Sequence, residues 1–571
     1  MNRRNFIQRT ALLSTFAPFA QTFANGIFST ADNLPEWILA MAPQADESIE
    51  RHLNLQCREK GPKFGGVADY QRILNPQGTA GLVRIGACGL YMPNSRYHRS
   101  TDLITRMSEA MDYLLSIQHE DGTIDLLSTN FHSTPDTGFI VKRLANAWRL
   151  IDQLKMKETA DLQEKIKTFL QRAADALVVG GIHTPNHRWV VSGALASVYG
   201  IWPERKYLNR IEDWLAEGID LDPDGQYNER STYIYSSLTN RVLISVAHYT
   251  GKTHLLEYVR KNLDMTRYYI HPNAEIVTDA SGRQDKATIG MFENYYYPYR
   301  YMAIQDKNEE YAGMCRFIEA TAGRKIAGHL DYYLAEPLLW RDIPQGTPPP
   351  TSYVKELPYS GLVRVREGNW DASIISKNST WLTFMHGNAV IQGVRVASSF
   401  FGKGQFVTDK IERIPDGWKL TQSLEGPYYQ PLPRNLLPGD GDWAKMPRIH
   451  RPQSEIQKLE TTIYIQKTPE GISFDVTTKG CERVPLAIEI IFREGGQLQG
   501  VEAVPNVNNS WILPSGMGTY TVGNDKIQFG PGLGLHLNTA LRGSLPHTGS
   551  PSVYLTGFTP FNHTVRLEAV K

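Results

Sequence analysis

Two short segments of the chain bring together side chains that can hold an acid group and move a proton. In the first, residues 183–189, a loop runs into a predicted helix and carries four such groups: His183, Asn186, His187 and Arg188. Unpaired backbone N–H groups at the start of a helix also favour a negative charge. The segment is therefore a candidate binding site for the carboxylate of a substrate.

The second segment, residues 224–235, is a turn that leads into another predicted helix. It carries two carboxylates, a cation and three tyrosines: Asp224, Glu229, Arg230, Tyr227, Tyr233 and Tyr235. A tyrosine beside a cation can act as a base, because the positive charge lowers the pKa of the phenol.

Each of these residues also has a purely structural interpretation. Asn186 can be a helix cap, His187 a packing histidine, and Tyr233 and Tyr235 core aromatics. A purely structural role is a reasonable explanation for any one of these residues. It is a poorer explanation for the presence of all of them in two short segments.

Apolar residues repeat at helical spacing between about residues 99 and 323. Short loops, several of them with Asp-Gly turns, separate the helices, and no strict sequence repeat is present. This pattern favours a closed toroid of helical hairpins, in which the turns on one rim converge on the mouth of a central cavity. The predicted helices span residues 137–154, 160–179, 188–199, 208–217, 232–250, 253–268 and 309–322.

The pattern changes after a Pro-rich linker at residues 342–352. Apolar residues then alternate with a period of two, which predicts strands at residues 361–366, 372–376, 461–465, 471–476 and 486–491. The sequence therefore predicts an α+β multidomain protein. An N-terminal α/α toroid with its lead-in (25–341) precedes a C-terminal antiparallel β-sandwich (353–571), and no parallel sheet is expected in the first half.

The first 24 residues have the composition of a signal peptide. Three arginines and no acidic residue precede an apolar stretch at residues 10–20, and Ala24 is a plausible cleavage point. The pair Arg3-Arg4 fits either a twin-arginine signal or an ordinary secretory segment that holds two arginines. Either interpretation predicts an exported bacterial protein, periplasmic or on the outer surface. No later segment is expected to span a membrane.

Composition narrows the possible functions further. The chain has 60 Lys and Arg against 59 Asp and Glu, a balance that argues against a nucleic-acid partner. Neither a metal-binding motif nor a phosphate-binding loop is present, so no cofactor or metal is predicted. The four cysteines form no CxxC pair, which leaves either one disulfide, Cys57–Cys88, or buried free thiols. The sequence does not predict an oligomeric state.

The two segments resemble a known group of enzymes. Asn186-His187-Arg188 at the head of a helix, followed about forty residues later by Asp-Gly-x-Tyr-x-Glu-x-x-x-Tyr at 224–233, is similar to the α/α-toroid polysaccharide lyases of the heparinase II/III and alginate-lyase types. Within that group the chain most resembles the L-rhamnose-α-1,4-D-glucuronate lyases, which remove rhamnose caps from arabinogalactan proteins. It departs from the pattern at two places. Arg230 stands where those enzymes usually have a small residue, and residues 385–388 hold a single histidine where those enzymes have a histidine-rich segment of the β-sandwich. Both departures suggest a pocket reshaped for a different substrate.

The resemblance implies a lyase that acts on a uronic-acid-containing glycan. Such an enzyme removes the C5 proton of a glucuronate and expels the group at O4, and it must first neutralise the adjacent carboxylate. Asn186 and His187 are predicted to do so, with Arg188 or Arg230 steering the carboxylate. Because H5 and O4 lie on one face of the ring, a single tyrosine can serve both steps. Tyr233 is the first choice and Tyr235 the second.

Further residues are predicted to bind the glycan. His386 is expected to cross from the β-sandwich and complete the site. The remaining predicted binding residues are Tyr227, Glu229, His183, Asn388, Tyr297, Arg300, Asn130 and His132. Two other functions stay open. One is a glycoside hydrolase that uses Asp224 and Glu229 as paired carboxylates, and the other is a surface protein that binds glycans without turnover.

Overall fold

The computed structural model describes residues 33–570, so the predicted signal peptide lies outside the described residues. A helical half precedes a β half, as the sequence predicts. The helices are α1 Glu36–Leu39, α2 Ala42–Leu55, α3 Pro76–Tyr91, α4 Thr101–Ile117, α5 Thr134–Leu154, α6 Ala160–Val179, α7 Pro185–Tyr199, α8 Arg205–Ala216, α9 Ser237–Thr250, α10 Leu256–Thr266, α11 Tyr296–Asp306, α12 Glu309–Ala322 and α13 Leu330–Ala335.

Alternate helices form an inner ring and an outer ring. In the inner ring α3 packs on α5, α5 on α7, α7 on α9 and α9 on α11, while α13 packs on α3 and α5. These helices are buried on nearly all faces, whereas outer helices such as α8 bury only one side. Because the chain passes outward between successive inner helices, the inner helices run in one direction. Their N-terminal ends therefore share one rim of the ring.

Two packed sheets form the second half. One is ordered β14-β17-β18-β20-β12-β11-β10-β9, and the other is β15-β16-β19-β13-β7-β6-β5-β4-β3 with β8 beside β7. Side chains such as Trp381 and Phe474 fill the space between them. The strands of the second half are β3 Ser352–Leu357, β4 Leu362–Glu367, β5 Trp370–Ile375, β6 Leu382–His386, β7 Ala389–Ser398, β8 Gly404–Gln405, β9 Glu412–Ile414, β10 Gly417–Tyr429, β11 Gln453–Lys467, β12 Gly471–Gly480, β13 Pro485–Phe492, β14 Gln497–Gln499, β15 Glu502–Ala503, β16 Ser510–Ile512, β17 Gly518–Val522, β18 Asp525–Gly530, β19 Ser552–Phe558 and β20 Asn562–Val570.

The prediction of an antiparallel sandwich is confirmed. Each of the five predicted strands coincides with an observed one, namely β4, β5, β11, β12 and β13. Strand pairing between residues 352 and 570 is antiparallel apart from the β16–β19 pair. The only sheet among the described residues of the helical half is a small antiparallel hairpin of β1 Ile124–Leu126 and β2 Asn130–Ser133.

The sandwich meets the ring at the loop before α11, residues 267–292. His271 Nδ1 lies 2.9 Å from Asp371 Oδ2, and Arg364 donates to the same buried carboxylate. Burial alone would raise the pKa of Asp371, but the charge of Arg364 and the contact with His271 lower it to about 2. These polar contacts tie the loop to β4 and β5.

Two further features bear on the sequence predictions. All four cysteines are free thiols, with Cys88 and Cys315 buried, so the disulfide is not formed. Between residues 33 and 570, no helix has both the length and the apolar character needed to cross a membrane.

Candidate active site

The start of α7 presents Asn186 to a carboxylate. Thr184 is the N-cap residue and Pro185 opens the helix, so the interpretation of Asn186 as a cap is wrong. Its side chain is 3% exposed, and Nδ2 lies 2.8 and 2.7 Å from the two carboxylate oxygens of Glu229. Within residues 33–570, Asn186 Oδ1 has no hydrogen-bond partner. The structure thus joins the two segments through their polar side chains.

His187 follows Asn186 and carries an uncharged ring. Its Nδ1 is buried and has no partner among the described residues, and the ring of His183 stands edge-on with centroids 5.3 Å apart. Burial, with the nearby charges of His183 and Arg283, lowers the pKa of His187 to about 4. At neutral pH the imidazole therefore offers one N–H donor and one acceptor nitrogen.

A π-helical turn, Thr232–Ser236, leads into α9 and carries both candidate tyrosines. Asp285 anchors the turn, because it accepts hydrogen bonds from Ser231 Oγ at 2.9 Å and from Tyr233 N at 3.1 Å. Single π-helical turns are found frequently at functional sites.

The hydroxyl of Tyr233 turns toward the start of α11. It donates to Glu293 Oε1 at 2.9 Å, and burial together with this hydrogen bond raises the pKa of Tyr233 to about 12. A raised pKa is the wrong direction for a base. The hydrogen-bond partner of this hydroxyl lies at the start of α11, whereas His187 lies at the start of α7.

Tyr235 lies on the side of the turn that faces Glu229. Its hydroxyl accepts a hydrogen bond from Gln284 Nε2 at 2.6 Å, and the Arg283 guanidinium carbon is 5.3 Å from the ring centroid. Arg283 Nε in turn lies 3.9 Å from Glu229 Oε2. Tyr235, Arg283, Glu229 and Asn186 therefore form one continuous group on the rim.

A central cavity of about 380 Å³ opens beside Tyr235. Four cations and one carboxylate line it, together with polar, aromatic and apolar groups. The lining residues are Arg84, Phe139, Lys142, Arg143, Ile234, Tyr235, Leu238, Arg241, Asn294, Gly328, His329, Asp331 and Tyr332. The wall is therefore strongly basic.

Sequence reasoning missed most of this wall, although one signal was present. Lys142 and Arg143 interrupt an apolar stretch of a predicted helix, between Val141 and Leu144. Arg241 directly precedes an apolar run of α9, Val242-Leu243-Ile244. A charged residue on the buried face of a helix needs a partner or a function. Arg283 and Gln284 lie in a loop and gave no comparable signal.

The two arginines predicted to steer a carboxylate point elsewhere. Arg188 lies 3.2 Å from both Glu217 and Asp220, and it stacks on the ring of Trp189. Arg230 Nη2 donates to the carbonyl oxygen of Tyr359 at the border with the sandwich. Neither arginine lines the central cavity.

Three other predicted binding residues belong to the core of the helical half. Tyr227, Tyr297 and Arg300 are 3%, 1% and 4% exposed. Their polar atoms are already used: Tyr227 donates to Asn240, Tyr297 to Glu336, and Arg300 to the carbonyl oxygen of Leu339. These predictions are wrong because residue type alone does not show that a polar side chain is buried and already hydrogen-bonded within the core.

The predicted crossing of His386 into the site is also wrong. His386 Nδ1 lies 2.9 Å from the carbonyl oxygen of Lys526, inside the sandwich. Asn388 donates through its backbone and side chain to Asp525 at 2.8 and 3.1 Å. The tight turn at Gly387, with φ of 52°, points both residues at β18.

The loop before α5 stands on the same rim as His187. Asn130 donates to Asp136 at 3.0 Å, and Asp136 is one of the charged groups that act on His187. His132 instead stacks on His119, with ring centroids 3.7 Å apart, and pairs with Asp121. Asn130 is therefore nearer to the candidate site than His132.

The carboxylate pair that a hydrolase would need is not assembled. Asp224 Oδ2 accepts from the backbone N–H of Ser360 at 2.8 Å, at the border with the sandwich. Glu229 holds Asn186 instead. The two carboxylates therefore have separate structural partners.

Similar folds are found among solved structures. Heparinase III matches with a TM-score of 0.56 and 11% identity, covering 96% of this chain and 87% of that one. Chondroitin AC lyase of Streptomyces coelicolor A3, in complex with chondroitin sulphate, matches at 0.53 and 11%, covering 97% and 80%. Xanthan lyase of Paenibacillus matches at 0.54 and 9%, covering 94% of this chain but 57% of that one. At such low identity the likeness shows a shared fold. No protein-family model and no curated protein sequence matches the chain.

Proposed function

We propose that the protein is a polysaccharide lyase that acts at a glucuronate by syn β-elimination and leaves a 4,5-unsaturated uronate. The observation that carries the proposal is the charge of the central cavity, where Tyr235 shares the lining with four cations and one carboxylate. A cavity whose wall carries an excess of positive groups favours a negatively charged ligand. A uronate supplies that charge next to the carbon that loses its proton.

Tyr235 is the proposed proton carrier. It lines the cavity, and the guanidinium carbon of Arg283 lies 5.3 Å from the centroid of its ring, so a positive charge stands next to the phenol. H5 and O4 of glucuronate lie on the same face of the sugar ring. One phenolic oxygen on that face can therefore take the proton from C5 and return it to the departing O4.

His187 and Asn186 are the proposed neutral donors at the rim. An uncharged imidazole can donate one hydrogen bond to the uronate carboxylate as negative charge builds up on it. Asn186 is held by Glu229, and substrate binding would draw one amide hydrogen away from that carboxylate. Asn130 remains a proposed sugar contact beside them.

The proposed substrate is a rhamnose–glucuronate end of an arabinogalactan-type glycan. The general likeness of the sequence to the rhamnose–glucuronate lyases supports this choice. The cavity lining also includes Phe139, Ile234 and Leu238, whose apolar side chains suit the methyl group of a 6-deoxy sugar. The arginine-rich and then apolar N-terminal sequence supports an exported enzyme.

A panel of glycans tests the proposal. The protein is incubated with rhamnose-capped arabinogalactan, heparan sulphate, chondroitin sulphate and xanthan while the near-ultraviolet absorbance of the unsaturated uronate is followed. We expect absorbance to rise with the rhamnose-capped glycan and rhamnose to appear in equal amount. Sugar release without absorbance would indicate a hydrolase, and binding without release a glycan-binding protein. Either result would overturn the proposal.

A further inference from the structure

Lys142 is a buried cation without a partner on the wall of the central cavity. Its side chain is 6% exposed, and Nζ stands 5.1 Å from the ring centroid of Phe139. In the part of the chain that the structure describes, no carboxylate lies within ion-pair distance of Nζ and no acceptor within hydrogen-bond distance. The ammonium at this point of the cavity wall therefore has no counter-charge from the protein.

The other cations of the wall are held. Arg84 NH1 lies 2.6 Å from Asp331 Oδ1, and Asp331 also accepts a hydrogen bond from Asn146. The remaining two donate to carbonyl oxygens, Arg143 to Gln77 at 2.7 Å and Arg241 to Asn294 at 2.8 Å. Among these four, Lys142 is the cation whose partner is absent.

Charged and titratable groups from several elements surround Lys142 on the cavity wall. Burial, followed by the charges of Arg241 and Arg143, lowers its pKa to about 7, and Asp331 opposes them only weakly. The neighbouring groups on the wall are Arg84 on α3, Arg143 on α5, Tyr235 on the π-helical turn, Arg241 on α9, and His329, Asp331 and Tyr332 at α13. Asp331 is already neutralised by Arg84. An arriving anion would therefore be the group that stabilises the ammonium.

We propose that Lys142 binds the carboxylate of the uronate that loses its C5 proton, and that the amine takes up one proton from solvent as the anion enters. The inference rests on the proposed function. The carboxyl carbon is bonded to C5, so the group that binds it must lie within one sugar ring of the base. Lys142 and Tyr235 line the same cavity of about 380 Å³, so one bound sugar can be placed between them. The bound ammonium then opposes the charge that develops as the C5 proton leaves.

Calorimetry with D-glucuronate, which has no glycosidic bond to cleave, tests the proposal. At pH 8 the wild-type protein is titrated in buffers of different ionisation enthalpy, which reports the protons taken up per ligand. We expect close to one proton per glucuronate. We also expect the affinity to fall up to tenfold for each pH unit above about 7, because binding is then linked to protonation.

Two variants sharpen the test. Lys142→Met should abolish the proton uptake and weaken glucuronate binding at least tenfold, while Lys206→Met, at an exposed lysine of α8, should change neither. Kinetics on the cleaved glycan should show a loss of kcat/KM for Lys142→Met together with a lost pH dependence. If Lys142→Met fails to fold, Lys142→Gln and the uptake by the wild type still decide the question.

The outcomes separate the two proposals. Binding of glucuronate without proton uptake, or with uptake that persists in Lys142→Met, overturns the role of Lys142, and so does a failure of glucuronate to bind. Proton uptake that depends on Lys142, in a protein that forms no unsaturated product from any glycan, leaves the anion site standing and removes the lyase.

Discussion

Asn186 Nδ2 lies within 2.8 Å of both carboxylate oxygens of Glu229, across 43 positions of sequence. The amide occupies the place that a cation usually takes beside a buried carboxylate, since Arg283 Nε is 3.9 Å away. The start of α7 is therefore fixed relative to the turn before α9. This contact sets the spacing between the rim donors and Tyr235.

Glu229→Gln should disturb that spacing. A glutamine presents an NH2 group to the amide of Asn186, so one of the two hydrogen bonds is lost and Asn186 must turn. We expect kcat to fall by about 10²-fold with little change in KM, because small misplacements of reacting groups carry costs of that size. Glu217→Gln, at a half-exposed partner of Arg188, should leave both constants near the wild-type values. Unchanged kcat in Glu229→Gln would show that the pair is only structural.

His187→Ala should remove nearly all turnover while the protein stays folded. The proposed hydrogen bond to the carboxylate strengthens as charge develops, and losing one such donor costs about 10²–10³ in rate. His183→Ala is the matched control, because His183 touches His187 but is itself exposed, and its loss should be mild. Steady-state kinetics with circular dichroism measure both effects. A folded His187→Ala protein of near wild-type rate would contradict the assignment.

Replacing each tyrosine of the π-helical turn by phenylalanine tests which of the two hydroxyls carries the proton. Tyr235→Phe deletes the proposed proton carrier and keeps the ring over Arg283, so turnover should vanish while glycan binding persists. Tyr233→Phe removes only the hydrogen bond to Glu293, for which we expect about 1 kcal/mol of lost stability and a modest change in rate. The reverse ranking of the two variants would restore Tyr233 as the base.

The two-part fold could be predicted from the sequence because periodicity reports burial. Apolar residues at helical spacing before residue 342 and at alternate positions afterwards predicted α5 to α10 and the strands of the sandwich core. The π-helical turn at Thr232–Ser236 was predicted as part of one helix, since its extra residue per turn leaves no mark in apolar spacing.

The site was predicted in part. The toroid places neighbouring turns on one rim, so it could be predicted that the segments of Asn186 and Glu229 lie close together. The direction of each side chain could not be predicted. Residue type does not predict that Tyr233 faces Glu293 or that Tyr235 faces Arg283. The orientations of the two tyrosines depend on the conformation of the chain before α11, including the loop at 267–292. That loop takes its conformation from contacts with the sandwich, such as His271 with Asp371.

Asp371→Asn should loosen this loop and lower stability. The carboxylate is buried between Arg364 and His271, and leaving the arginine without its counter-charge costs about 3–5 kcal/mol. The folded pKa of about 2 lies below the ordinary 3.8, so Asp371 stabilises the fold above about pH 4 and loses that effect as the pH falls toward 2. The difference in Tm between variant and wild type should therefore be large at pH 6 and shrink in acid. Asp440→Asn, in an exposed loop, should show no such difference.

Lys142→Met should stabilise the ligand-free protein, and the gain should depend on pH. The pKa of Lys142 is about 7 in the folded chain against an ordinary 10.5, so below pH 7 both states carry the proton and the folded state bears the full cost of a buried ammonium. Between pH 7 and 10.5 only the unfolded chain stays protonated, and the stability of the wild type rises relative to the variant by at most about 1.4 kcal/mol per pH unit.

The Tm of Lys142→Met should accordingly exceed that of the wild type at pH 6, and the gap should narrow toward pH 9. Lys206→Met serves as control, because Lys206 is paired at the surface with Asp175 and Glu204 and carries no such burial cost. Saturating D-glucuronate should close the gap at pH 6 by stabilising the wild type alone, since only the wild type retains the ammonium that the carboxylate pairs with. A difference in Tm that is constant across pH would mean that the amine does not change its protonation in this range. A difference that glucuronate does not alter would mean that the amine does not bind an anion in the cavity.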